Sequence, residues 1–220
     1  MRKILSTILI LLLLITPCNI LFACDEKDFN YSTISHEEDI ALITLFADNG
    51  KSEQKWGLFN LGHSFIGIQN ISDEDIYIYN YKISPNESIS IGTWSIWEHW
   101  GVWFNVESNY ISIHNKYDGR LSITTGINNN DLEKLTKYIE DEDKWTLLGN
   151  CSYFALNMWN CVSEESEYID TPLIYSPNYV TKHITQFENH EINRPLETSE
   201  IISYYNNTEF KTYTMEGLNN

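Results

Sequence analysis

Leu147-Leu-Gly-Asn-Cys-Ser-Tyr-Phe-Ala-Leu-Asn-Met-Trp-Asn-Cys161 is the stretch against which the rest of the chain is read. Gly149 and Asn150 form a break and an N-cap, after which apolar side chains recur at Cys151, Phe154, Ala155, Met158 and Val162, the spacing of one helical face. Cys151 therefore falls in the first turn of an amphipathic helix. There the open backbone N–H groups and the positive end of the helix dipole favour thiolate over thiol, the condition for a nucleophilic cysteine near neutral pH. The same residue also reads as a small, soft side chain packed under the helix, the usual place of a buried cysteine.

Upstream, the chain of 220 residues opens on a segment that does not belong to a globular core. Met1-Arg2-Lys3 is a basic start, Ile4 to Ile15 an apolar run shorter than a membrane span, and Leu21-Phe22-Ala23 a small-residue cleavage signal, so residues 1–23 read as a secretory signal peptide. Leu-Phe-Ala-Cys also resembles a bacterial lipobox, which makes Cys24 a lipid attachment site. The expected product is either a lipoprotein or a freely secreted protein, extracytoplasmic and bacterial. Without residues 1–23, which hold two of the 14 Lys and Arg and no acid, the net charge moves from −17 to −19. That balance argues against nucleic acid as a partner, since phosphate binding needs clustered cations. Once Cys18 leaves with the signal and Cys24 stands at the terminus, Cys151 and Cys161 are left in the folded part. Ten residues apart on one helix places them roughly 15 Å apart, whereas a disulfide needs Cα atoms within about 7 Å. They should not pair with each other.

Residues 24–38 are polar and acidic and read as a tether, 39–188 as the folded domain, and 189–220 as a loosely ordered C-terminal tail. Within the domain, Ile40 to Phe46 reads as a buried strand closed by the turn Asp48-Asn49-Gly50. His63 to Gln69 and Ile76 to Lys82 alternate and read as a hairpin; Ser88 to Gly92, Tyr110 to His114, Arg120 to Thr124 and Trp145 to Leu148 read as further strands. Asn130 is the expected cap of a helix through Glu140, with Glu133 completing a capping box, and Ser176-Pro177 starts another helix over Tyr179 to Phe187. The order predicts an α+β domain whose antiparallel sheet carries the cysteine-bearing helix.

Thiolate chemistry needs a base beside the sulfur and a group to orient it. Of the six histidines, His63 stands out because it opens a strand directly after Gly62, where a strand end presents its side chain at the rim of a sheet. Gly-His-Ser-Phe-Ile-Gly-Ile in the first half and Asn-Cys-Ser-Tyr-Phe-Ala in the second together resemble the papain-like thiol hydrolases of the NlpC type. More closely they resemble the circularly permuted branch that includes lecithin retinol acyltransferase, in which the histidine strand precedes the cysteine helix. The resemblance covers roughly residues 56 to 187 and implies a permuted papain-like fold with Cys151 as nucleophile and His63 as base. It also implies a polar orienting residue on the strand after the histidine. In the expected hairpin, Ile66 and Ile68 face Ile78 and Ile76, which puts Asn80 on the wrong side and offers Tyr79 and Tyr81 instead; a bulge that brings Asn80 across, or His99 from the tryptophan segment, are the other candidates.

Four of the seven tryptophans, Trp94, Trp97, Trp100 and Trp103, fall within ten residues. Trp97, Trp100 and Trp103 read either as the wall of a substrate groove for sugar rings or acyl chains, or as core. No His or Cys pair has zinc spacing and no acidic cluster has the calcium-loop pattern, so neither metal nor cofactor is expected. The function that follows is a secreted or lipid-anchored cysteine hydrolase acting on an amide or ester through an acyl-enzyme, with cell-wall peptide, glycopeptide or an acyl group as substrate. The alternatives are a non-catalytic binding or effector domain on the same fold and a lipid acyl hydrolase or transferase.

Overall fold

The computed structural model describes residues 39–50, 62–96, 99–197, 201–205 and 210–214. In chain order these form β1 (Ala41–Asp48), β2 (His63–Asn70), β3 (Ile76–Ile78), β4 (Tyr81–Ile83), β5 (Ser88–Ile96), β6 (His99–Phe104), α1 (Val106–His114), β7 (Leu121–Ile127), α2 (Asn129–Asp141), α3 (Cys151–Asn160), a short 3-10 turn (Glu165–Glu167), α4 (Pro177–Ile184), β8 (Glu191–Ile192), β9 (Ile201–Tyr205) and β10 (Phe210–Thr214). Eight strands make one sheet in the order β10-β9-β6-β5-β2-β1-β7-β8, with β3 and β4 apart as a two-stranded hairpin. Every pairing is antiparallel. The protein is therefore α+β, with α3 packed across β2, β1 and β5.

β1 and β2 read as apolar runs because both of their faces are covered. Ile43, Leu45, Ile66, Ile68, Ile91, Val102 and Phe104 point into the core shared with Phe154, Leu156, Met158 and Trp159 of α3 and Val180 and Ile184 of α4. Alternation along β6 turns Trp103 to the other face, where it packs with Val106, Ile202 and Tyr204. Burying a side chain of this size contributes roughly 1.5–3 kcal/mol each, so the two clusters together hold the sheet between its layers.

Several expectations from the sequence are corrected. The hairpin between His63–Gln69 and Ile76–Lys82 does not form, because β2 is a central strand with both edges in use, by β1 and by β5. Asn70 diverts the chain instead: its Nδ2 donates to the carbonyls of Glu74 (2.7 Å) and Ile83 (2.9 Å) and its Oδ1 accepts from Ser72 N–H (2.9 Å), which closes β3 and β4 on themselves. Tyr110 to His114 is helix, not strand, because Asn105 and Asn115, at φ 66° and 46°, turn the chain out of β6 and end one short helix between them. The cap of α2 is Asn128, two residues earlier than expected, with Asp131 closing the capping box. Trp145 to Leu148 forms no strand. The C-terminal segment is not a loose tail in its described part: β8 extends one edge of the sheet beside β7, and β9 and β10 extend the other beside β6. Residues 1–23 and 24–38 lie outside the described residues.

Candidate active site

Asn150 caps α3 as its sequence predicts, its Oδ1 accepting from the backbone N–H of Ser152 (3.0 Å) and Tyr153 (3.2 Å). The cap leaves the N–H of Cys151 out and sets its side chain in the first turn, at the positive end of the dipole. The helix start meets the start of β2. Gly62, at φ 72° and so close to the Asp48 carbonyl that a Cβ would sit 2.1 Å from it, turns the chain into that strand. β2 pairs with β1 from His63 onward but with β5 only from Ile66, so residues 63–65 project past the end of the β5 ladder. In that notch the Ser64 N–H, which β5 does not take, donates to the Cys151 sulfur. Ser64 and Ser152 also join their hydroxyls at 3.1 Å, which ties the helix start to the strand.

His63 is buried, and its side chain hydrogen-bonds Cys151. Its Nε2 lies 2.9 Å from Glu107 Oε1, which leaves Nδ1 for the thiol. Glu107 stands in the first turn of α1, a place that favours negative charge, and is fully buried. The same Oε1 accepts from Trp94 Nε1 at 2.6 Å, and the Trp94 ring lies against the imidazole at 4.2 Å between centroids. Tyr117 covers the imidazole at 5.7 Å. Glu107 Oε2 is buried with no hydrogen-bond partner among the described residues, so Oε1 carries the orientation of His63.

The charges follow from this packing. Burial alone would lower the His63 pKa, but the Cys151 sulfur and the Glu107 carboxylate outweigh it and raise the imidazole to about 9. Burial alone would push the Cys151 thiol up; the His63 imidazolium, its hydrogen bond, the Ser64 N–H and the Ser152 hydroxyl outweigh that and hold the thiol below its ordinary range. Each partner thus favours the charged form of the other, thiolate for Cys151 and imidazolium for His63. In Cys151→Ser the ring loses its strongest supporting charge while burial still opposes it. The titration of His63, followed by its ring proton shifts in NMR, is expected to fall well below about 9; an unmoved titration would assign the shift to Glu107 alone.

The other residues singled out in the sequence lie elsewhere. Tyr81 is not beside His63: its hydroxyl accepts from Asn105 Nδ2 (2.8 Å) and its ring stacks on Phe104 (5.2 Å). Asn80 sits exposed in the β3–β4 turn, because that hairpin is separate from β2. His99 pairs with Asp143 (Nε2–Oδ1 2.8 Å) and stacks on Tyr204 (4.6 Å). Trp103 is fully buried and lines no groove, whereas Trp100 is exposed and meets Trp145 edge-on. Trp97 and Cys24 lie outside the described residues. Among the described residues no group of three or more His, Cys, Asp or Glu is placed to hold a metal ion.

Glu107 is the orienting group that the sequence reading missed. It reaches His63 only because β2, β5 and β6 lie side by side and Asn105 then turns the chain back over the sheet. The available signal was local: an acid two residues after the Asn that follows the apolar run Val102-Trp-Phe. His99 and Asp143 hold the approach to the cysteine, since Asp143 Oδ1 also accepts from Val102 N–H (2.8 Å) and Trp145 N–H donates to the Trp100 carbonyl (3.2 Å). The segment that leads to Asn150 is thereby fastened along the first half of β6, which β9 does not pair. No family model, curated protein or solved structure matches the chain.

Proposed function

We propose that this protein is a cysteine hydrolase that cleaves an amide or ester through an acyl-enzyme on Cys151, with His63 as acid and base and Glu107 as the group that orients His63. One observation carries the reading: a thiol held below its ordinary range by a buried imidazole, itself hydrogen-bonded to a buried carboxylate. The order of histidine strand and cysteine helix, and the placement of the helix start against the strand start, support a permuted papain-like arrangement.

The chemistry follows from the positions. The Cys151 sulfur attacks the carbonyl carbon, a C–S bond forms, and the carbonyl electrons move onto oxygen. The Cys151 backbone N–H, left out of the Asn150 cap at the helix start, is placed to donate to that oxyanion. As the oxyanion collapses, His63 gives its proton to the departing amine or alcohol. Water then attacks the thioester, His63 takes its proton, and the C–S bond breaks to return the Cys151 thiolate beside the His63 imidazolium. Glu107 keeps the ring in place through both steps.

The substrate class we favour is cell-wall peptide or glycopeptide, which suits the secretion and lipid anchoring proposed from residues 1–24. Among the described residues no helix is long and apolar enough to cross a membrane. Alkylation tests the reading directly: with iodoacetamide near neutral pH, Cys151 is expected to react at least about tenfold faster than Cys161, measured by peptide mass spectrometry on folded protein. Equal rates would remove the thiolate and favour a non-catalytic binding domain on the same fold.

A further inference from the structure

Among the described residues the four most exposed large apolar side chains are Leu173 (99%), Leu147 (83%), Ile174 (77%) and Leu148 (73%). All four stand in the two loops beside the start of α3. The loops touch there, since Asn150 Nδ2 donates to the Tyr175 carbonyl (3.1 Å) and the Tyr153 and Tyr175 rings meet at 4.9 Å. Leu147 and Leu148 are held out at the tip of a tight turn, closed by Thr146 N–H to the Gly149 carbonyl (3.0 Å) and Gly149 N–H to Thr146 Oγ1 (2.7 Å). Exposed leucines scattered singly need no explanation, but four gathered on two loop tips do.

What stands behind the tips indicates the partner. Trp100 and Trp145 lie edge to face at 6.4 Å, and Tyr153 and Tyr175 are half-buried. The segments 145–149 and 171–175 carry no charged side chain, and Asp143, Lys144 and Asp170 come next along the chain. Aliphatic tips, then indole and phenol rings, then charge is the layering that suits a lipid–water boundary, where amphipathic rings sit at the headgroup level. The tips are also convex and their side chains touch almost nothing. A fluid interface accommodates such prongs, while a protein partner would need pits shaped for each. One lysine beside two acids, on a chain of net charge −17, offers an anionic surface no attraction.

We propose that the loops carrying Leu147, Leu148, Leu173 and Ile174 are a docking surface for a neutral or zwitterionic lipid interface, and that docking presents the Cys151 site to that surface. The docking itself does not depend on the acyl-enzyme reading; its use in bringing Cys151 to a substrate does.

The full chain is mixed with vesicles of brominated phosphatidylcholine, which quench tryptophan at the headgroup boundary. Because the apolar run Ile4 to Ile15 can bind vesicles by itself, the readout is the local quenching of Trp100 and Trp145. Quenching is expected in the wild type, is expected to be lost in Trp100→Phe/Trp145→Phe, and in Leu147→Glu/Leu173→Glu should require at least about tenfold more lipid. With part of the phosphatidylcholine replaced by phosphatidylglycerol, quenching should weaken. The Leu147→Glu/Leu173→Glu protein should keep the wild-type alkylation rate of Cys151 without vesicles, which shows it folded, and Cys151→Ser should dock as the wild type does, whatever becomes of the hydrolase reading. Quenching unchanged by the Glu substitutions, stronger binding to the anionic vesicles, or loss of the exposed surface by self-association in place of vesicle binding would each overturn the proposal.

Discussion

With His63 replaced by alanine, turnover of a simple activated ester is expected to fall by on the order of 10³-fold, and alkylation of Cys151 near neutral pH by at least about tenfold. The imidazolium is the largest influence holding the thiol below its ordinary range, and its removal leaves burial to push the thiol back up. The pH profile carries the sign. In the wild type the thiolate forms below the usual thiol pKa, so turnover should already be rising there as pH increases. It should then fall through about pH 9, as His63 loses the proton that the leaving group needs. Alkylation, which needs only the thiolate, should not fall on that limb. In His63→Ala both the early rise and the later fall should vanish, leaving one titration at or above the ordinary thiol range. An alkylation rate and profile like those of the wild type would separate His63 from the thiol and end the account of the pair.

Gly92→Ala should have the second largest effect. A Cβ at this position would lie 2.0 Å from Glu107 Oε1 and 3.4 Å from His63 Nε2. The carboxylate has no room to yield, because it is fully buried and its Oε1 is held at 2.6 Å by Trp94 and at 2.9 Å by His63. The expected cost is about 1–3 kcal/mol of stability, as for an overpacked core, together with a drop in turnover on the order of 10²-fold. Gly67→Ala, on the neighbouring strand β2, is the comparison: its Cβ would press on the Phe46 ring of β1, at 2.8 Å, and not on Glu107. It should lower the denaturation midpoint while sparing the alkylation rate. If the two variants lose turnover in proportion to their stability, Glu107 has no special part in orienting His63.

The cysteine helix was legible because everything that makes it is local. Asn150 caps the N–H groups two and three residues on, and the apolar residues of one face follow at three and four. His63 was legible for the same reason, as a strand start after a glycine that must turn sharply. The third group was not. Glu107 is 44 residues beyond His63, and what joins them is the side-by-side order β2-β5-β6. Period-two alternation marks a strand but does not name its neighbour, so β2 looked like the partner of Ile76 to Lys82, although its two edges belong to β1 and β5. The wrong neighbour then offered the wrong orienting groups, Tyr81 and Asn80.

The tryptophans show the same limit from the other side. A spacing of three residues says nothing about which face of a sheet each ring takes. The β5–β6 register sets Trp94 opposite Gly101 and Trp103 opposite Gly92 on one face, with Trp100 opposite Ser95 on the other. One ring therefore holds the Glu107 carboxylate, another fills the core, and the third stands in solvent by the apolar loops. By itself the sequence determined an α+β chain with a capped cysteine helix and a histidine-led strand, since these rest on contacts a few residues long. Only the tertiary structure decided that the two meet, that a buried glutamate stands behind the imidazole, and that the thiol is held below its ordinary range, because these depend on strand order and on burial, which no short window of sequence contains.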